Sequence, residues 1–169
     1  MPDAPLILTL ALDEQSQTYF NHLRKLHFPR ERNYLDAHLT LFHHLPANEP
    51  QVIQDIEAAS KQFSMKVLQV INVVSIGNGV AFKIEDPSLL TLHRSLQQQW
   101  QDWLIPQDQH KLWPHITVQN KVTPDKARQL KNEFEQNFMP FTATGTGLSL
   151  WEYQGGPWRF IEFYPFTGS

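Results

Sequence analysis

Apolar positions along the chain recur with two different spacings, and the alternation between them outlines a fold. Leu6-Ile-Leu-Thr-Leu-Ala-Leu12 is a short apolar run closed by Asp13, the pattern of a buried strand. Asp13 stands where it can cap a helix whose apolar positions Phe20, Leu23 and Phe28 follow helical spacing until Pro29 stops it. A polar loop over 30–36 leads to a second strand, Ala37-His-Leu-Thr-Leu-Phe-His-His-Leu45. Pro50 opens a helix with Val52, Ile53, Ile56, Ala59 and Phe63 on one face. Residues 65–76 are rich in β-branched side chains and read as a strand, which Gly77-Asn-Gly79 turns back into another over 80–84. Asp86-Pro87 starts a helix striped by Leu89, His93, Leu96, Trp100 and Trp103, and 114–119 is again a strand. Thr123-Pro124 starts a last helix with Ala127, Leu130, Phe134 and Phe138 on one side. A long strand over 141–153, with a bulge expected at Gly145 or Gly147, turns at Gln154-Gly-Gly-Pro157 into a final strand over 158–164.

Strand–helix–strand–helix–strand therefore occurs twice, over about 5–77 and 78–169, with one strand added at the end. The expectation is an α+β fold of two lobes, internally duplicated, with mostly antiparallel sheets around a central cleft. No Ser/Gly-rich or highly charged linker divides the halves, so residues 1–169 read as one domain. A length of 169 residues and 41% hydrophobic content suit a single well-buried core. The net charge of -3 argues against a protein that coats long nucleic acid or a DNA duplex, and leaves room for a small site holding one phosphate. Without a cysteine, disulfides, thiol catalysis and thiolate metal sites are excluded. No apolar run approaches the length of a membrane span, and Asp3 rather than a basic residue precedes the first one. A soluble, cytoplasmic protein, acting as a monomer away from membranes, is expected.

The chemistry lies in two strands of similar design, His38-Leu39-Thr40 and His115-Ile116-Thr117. Chance alone supplies roughly 0.5 His-x-Thr tripeptides in a chain of this composition, so context carries the signal rather than number. Both motifs alternate with aliphatics and hold equivalent places in the repeated order, whereas His93-Arg94-Ser95, a looser match, falls in a helix. Alternation puts His38, Thr40, Phe42 and His44 on one face of the first strand, with Leu39, Leu41 and His43 opposite. His115, Thr117 and Gln119 share a face of the second. Two histidines flanking a phosphorus can act as base and acid, while threonine hydroxyls donate to non-bridging oxygens. Such a quartet needs no cofactor, and neither motif has the carboxylate that metallohydrolase patterns carry. With His43 facing away from His38 and His44, no metal site is expected.

Paired His-x-Thr strands 77 residues apart in a duplicated topology resemble the two-histidine phosphoesterase superfamily, and within it the bacterial 2′-5′ RNA ligase branch. The similarity spans nearly the whole chain and is densest at 37–46 and 114–121. It implies a bilobal fold with both motifs in a central cleft. It also implies a metal-independent activity that opens 2′,3′-cyclic phosphates on an RNA end or small nucleotide, with 2′-5′ joining in some members. His38 and His115 would then be the acid–base pair, His115 activating water and His38 protonating the leaving oxygen, and Thr40 and Thr117 would hold the phosphate. A module that binds phosphorylated nucleotides or RNA ends without turnover is the alternative.

Around the quartet, His44, Lys121, Tyr34, Trp113 and Trp158 are possible substrate contacts, the aromatics as surfaces on which a base can stack. Phe42 joins them at the expected cleft rim. Arg24, Lys25, Arg30 and Arg32, with His22 and His27, form the densest basic stretch, either a guide for phosphates or a solvated helix end. No Gly-x-x-x-x-Gly-Lys or Gly-x-Ser-x-Gly occurs, so nothing supports a P-loop or a serine hydrolase.

Overall fold

Every apolar run becomes a strand and every striped segment a helix in the computed structural model, which describes residues 3–169. The strands are β1 (Leu6–Leu12), β2 (Leu39–Leu45), β3 (Lys66–Ser75), β4 (Val80–Glu85), β5 (His115–Gln119), β6 (Phe141–Tyr153) and β7 (Trp158–Pro165). The helices are α1 (Glu14–His27), α2 (Pro50–Gln62), α3 (Pro87–Gln99) and α4 (Pro124–Asn137). Three helices begin on proline, whose missing N–H costs nothing in the first turn. Asp86 and Thr123 accept from the backbone N–H groups of Leu89 and Lys126, as N-caps do. Asp13 makes no such bond, its own N–H being tied to the Thr144 carbonyl instead. Two short 3-10 turns, Arg30–Arg32 and Pro106–Gln109, stand in segments where no periodicity announces them.

The fold is α+β, and its strands join into one curled sheet rather than a separate sheet per lobe. Among the described residues the order is β2-β1-β6-β3-β4-β5, with β7 also on β6, and every pairing is antiparallel. The 13-residue β6 makes this possible: its first part pairs with β3, its second with β7, and β1 runs along its other edge. Exchanging β2 for β5, β1 for β4 and β6 for β3 leaves the order unchanged. The third strand of each half of the sequence therefore lies beside the first strand of the other. Helices cross over in the same way. α1 packs on β5, while α3 brings His93 and Trp100 against Phe42 of β2.

Both motif strands end up at edges, and both are bulged at the same place. Thr9 pairs with Thr40 and Leu8 with Phe42, which leaves Leu41 extra; Ala81 pairs with Thr117 and Val80 with Gln119, which leaves Val118 extra. Each extra residue immediately follows the motif threonine. A second irregularity lies between Phe42 and Leu45. An inserted residue reverses the alternation of faces beyond it, so Phe42 turns into the core instead of the cleft. There its ring is fully buried, stacked on His93 with centroids 4.6 Å apart and edge-on to Trp100 at 4.9 Å. Another bulge leaves Thr146 of β6 extra, between the two glycines expected to mark one.

The β3–β4 hairpin forms as expected, and its glycines have different duties. Gly77 adopts φ 90°, in open space. Gly79 is where β4 passes the end of β5: a Cβ there would lie 1.8 Å from the Gln119 carbonyl oxygen. Replacing Gly79 by Ala must push β5 off β4, and an overpacked contact of this kind costs about 1–3 kcal/mol. Urea denaturation of Gly79→Ala should show that loss as a lower midpoint with unchanged slope.

Candidate active site

Both motif histidines have one ring nitrogen committed to the backbone. Nδ1–H of His38 donates to the Asp36 carbonyl at 2.8 Å, and Nδ1–H of His115 donates to the Trp113 carbonyl at 2.7 Å. A carbonyl only accepts, so each neutral ring is held in the tautomer that leaves the Nε2 lone pair free. The partner carbonyl lies two residues upstream in both cases. His115 and Thr117 lie two apart at the start of β5, while His38 sits one residue ahead of β2.

One buried arginine ties the two edges together. Arg24 of α1 donates from Nε to Asn33 Oδ1 at 2.7 Å and to the Leu35 carbonyl at 3.0 Å. From Nη1 it reaches the Thr117 carbonyl at 3.1 Å, with its guanidinium over the Phe28 ring. Only 5% of Arg24 is exposed, so it is neither a solvated helix end nor a guide for incoming phosphates. It joins the loop that presents the first motif to the strand that carries the second. Burial lowers its pKa to about 10, which leaves it charged at neutral pH.

The bulge in β2 decides which further histidine joins Thr40 and His115. His43, not His44, lines a cavity of about 130 Å³ with Thr40 and His115. His44 is exposed and lines neither this cavity nor the one that holds His38, and Thr117 lines neither of them either. The backbone N–H of His44 instead donates to Asp108 Oδ2 at 3.0 Å. The same carboxylate accepts from the His43 N–H at 2.9 and 3.0 Å and from His43 Nδ1–H at 3.0 Å. On the core side, Nε2–H of His93 donates to the carbonyl of the extra residue, Leu41, at 3.1 Å. Asp108 comes from the 3-10 turn at 106–109, so a carboxylate does accompany the first motif, 65 residues downstream of His43. The only sequence sign of its role is an acidic residue inside an otherwise unassigned loop.

His38 opens onto a second cavity of about 340 Å³, lined also by Thr9, Gln17, Tyr34, Trp151 and Trp158. Trp158 lies against the His38 ring at 4.6 Å, and Trp113 stacks on the His115 ring at 4.2 Å and 27°. Each motif histidine thus has a tryptophan beside it. Tyr34 is 61% exposed at the rim. Lys121 lines neither cavity: beyond β5 the chain turns through it in the left-handed region, φ 64°, next to the β3–β4 hairpin. Among the described residues no three His, Asp or Glu side chains are arranged to hold a metal ion.

Burial disfavours charge on both motif rings. His38 is pushed down to about 4, first by desolvation and then by the charges of Arg24, His115 and His43 around it. His115 is lowered as well, chiefly by desolvation, with His43 adding to it. In the free protein at pH 7 both rings are neutral. The unfolded chain protonates His38 near pH 6.5 and the folded one only near 4, so U binds more protons between those values. Stability should be full above about pH 6.5 and fall as the pH drops towards 4. Thermal melts across this range should show a shallower fall for His38→Asn, by up to one proton, or about 1.4 kcal/mol per pH unit.

Residues 12–157 match the sequence profile of the 2′-5′ RNA ligase superfamily. Among solved structures, TT0787 of Thermus thermophilus superposes with a TM-score of 0.66 at 16% identity, covering 98% of this chain and 99% of that one. E. coli LigT complexed with 3′-AMP superposes at 0.62 with the same identity and coverage, as does a crystal structure described simply as a phosphoesterase. No curated protein matches the sequence significantly. The superpositions speak for the fold, and the profile, which spans most of the chain, for descent. On that match the chain belongs to the 2′-5′ RNA ligase superfamily.

Proposed function

We propose that the protein is a metal-independent phosphoesterase that opens 2′,3′-cyclic phosphates on a small nucleotide or an RNA end, working as a single domain in the cytoplasm. The observation that carries this reading is the matched pair of histidines on opposite edges of the sheet. Each has Nδ1–H fixed on a carbonyl and Nε2 free, and each is followed two residues later by a threonine.

In the reaction, one Nε2 takes a proton from water as its oxygen bonds to phosphorus. The bond from phosphorus to one ribose oxygen breaks, and the second histidine gives that oxygen a proton. The hydroxyls of Thr40 and Thr117 donate to the non-bridging oxygens, where negative charge grows. With the 5′-hydroxyl of a second nucleotide attacking phosphorus in place of water, and the bond from phosphorus to O3′ breaking, the same steps join a 2′-5′ linkage without ATP. Burial disfavours the charged form of both rings, so each can take up and return a proton at Nε2. The family resemblance gives His115 the part of the base and His38 that of the acid.

The larger cavity suits the nucleoside. Its volume of about 340 Å³ and its Tyr34, Trp151 and Trp158 walls fit a stacked base beside His38. E. coli LigT, which shares the fold, has been crystallised with 3′-AMP, NADP+ and ATP, in keeping with a nucleotide ligand here.

Hydrolysis of 2′,3′-cyclic nucleotides and of an RNA with a cyclic-phosphate end, in EDTA, tests the reading. Wild-type turnover should persist, and His38→Ala and His115→Ala should each lose at least about 100-fold, the size of a general acid–base contribution. A loss below about tenfold in both variants defeats the mechanism. Binding without product on either substrate favours a non-catalytic phosphate module. For the base pocket, Tyr34→Ala should raise KM at least about fivefold with kcat little changed, since a base–aromatic stack contributes about 1–3 kcal/mol.

A further inference from the structure

The β2 bulge brings into the site a histidine that neither motif includes. We propose that His43 is a third histidine in contact with the reacting phosphate, donating Nε2–H to a non-bridging oxygen from the His115 side, and that Asp108 is its positioning residue. The inference rests on the phosphoesterase reading and assigns it a further contact.

Placement comes first. Thr40, His43 and His115 share the walls of one cavity of about 130 Å³, room for a phosphoryl group and too small for a nucleoside. Two backbone devices hold His43 there: the His93 bond to the Leu41 carbonyl and the Asp108 bonds to the N–H groups of His43 and His44. If the turn at 106–109 only closed the edge of β2, those backbone bonds would suffice. Asp108 also accepts Nδ1–H of the His43 ring, which aims Nε2 away from itself. With the Asp108 side chain 1% exposed and that of His43 44% exposed, the carboxylate lies behind and the imidazole faces the opening.

Charge comes second. A cyclic phosphate is an anion, and the two motif rings are backed only by uncharged carbonyls. His43 alone among the three has a carboxylate behind it. Asp108 can balance an imidazolium at His43 without moving, because the Nδ1–H bond is the same whether or not Nε2 carries a hydrogen. Other titratable groups face this cavity: His93 from α3, His110 and Lys111 from the loop after the 3-10 turn, and His115 from β5. A positive His43 opposes a proton on His38 or His115. It thereby makes whichever of them holds the proton a stronger acid towards the leaving oxygen.

Steady-state kinetics on a 2′,3′-cyclic nucleotide, measured from about pH 5 to 9, test the assignment. His43→Ala should lower kcat about 100- to 1,000-fold, the range of one lost donor to a developing oxyanion, with a smaller change in KM and a displaced pH profile. His43→Gln, which keeps an N–H donor, should recover part of the loss. Asp108→Asn should act in the same direction, and His43→Ala, altering a half-exposed side chain, serves where that variant does not fold. A His43→Ala enzyme within about twofold of wild type, with an unmoved pH profile while His38→Ala is inactive, overturns the proposal. Should wild type turn over no cyclic phosphate, the phosphoesterase reading fails, and inorganic phosphate followed by histidine NMR still judges this contact. A shift of the His43 ring resonances that saturates supports it, and an unmoved His43 with His38 or His115 shifting overturns it.

Discussion

The site depends on keeping the two ends of one sheet face to face, and two crossed hydrogen bonds do this. β2 and β5 are the edge strands, so no strand pairing links them directly. Arg24 from the first helix of the N-terminal half holds the Thr117 carbonyl of the C-terminal motif, and His93 from the first helix of the C-terminal half holds the Leu41 carbonyl of the N-terminal one. The His93 bond takes the carbonyl of the extra residue of its bulge, and the Arg24 bond that of the residue just before the extra Val118. The first is buried and the second part-buried, and an unmade hydrogen bond out of water costs about 1–3 kcal/mol. The two braces thus stabilise the curl of the sheet and set how its motif strands are presented.

Bulges at these edges serve two ends. Exposed edge strands invite pairing with other chains, and an inserted residue twists the edge and spoils its register. Here the insertion also resets which side chains look outward. Without it, strict alternation would put Phe42 and His44 beside Thr40. With it, Phe42 completes an aromatic stack with His93 and Trp100, and His43 takes the cleft. One extra residue both anchors the strand in the core and changes the composition of the site.

Electrostatics follow from the same packing. Two histidines near enough to oppose each other's protonation, with Arg24 close to one of them, stay neutral at pH 7 and present lone pairs to whatever enters. An anion bound between the rings would relieve that repulsion, so anion binding and protonation of the histidines are coupled there. Trp158 and Trp113 beside the two rings shield them from water and strengthen that coupling.

Much of this was legible in the residues alone. Hydrophobic spacing, prolines at helix starts and the Gly77-Asn-Gly79 turn determine the helices and strands in their order. Paired His-x-Thr strands, through their chemistry and their place in the repeat, mark His38, Thr40, His115 and Thr117 as the candidate quartet. What sequence could not convey is anything that depends on an inserted residue or a distant partner. Period-two alternation counts every residue, so it places His43 on the wrong face once Leu41 is squeezed out of the ladder. A basic cluster looks the same whether or not one arginine is buried, and Arg24 became a brace only because β5 crosses α1. Asp108 lies 65 residues from the histidine it holds, in a loop with no periodicity. Local pattern determined the elements and the chemistry they carry; the tertiary structure alone decided which side chains meet, because bulges and long-range hydrogen bonds satisfy backbone groups that no local rule counts.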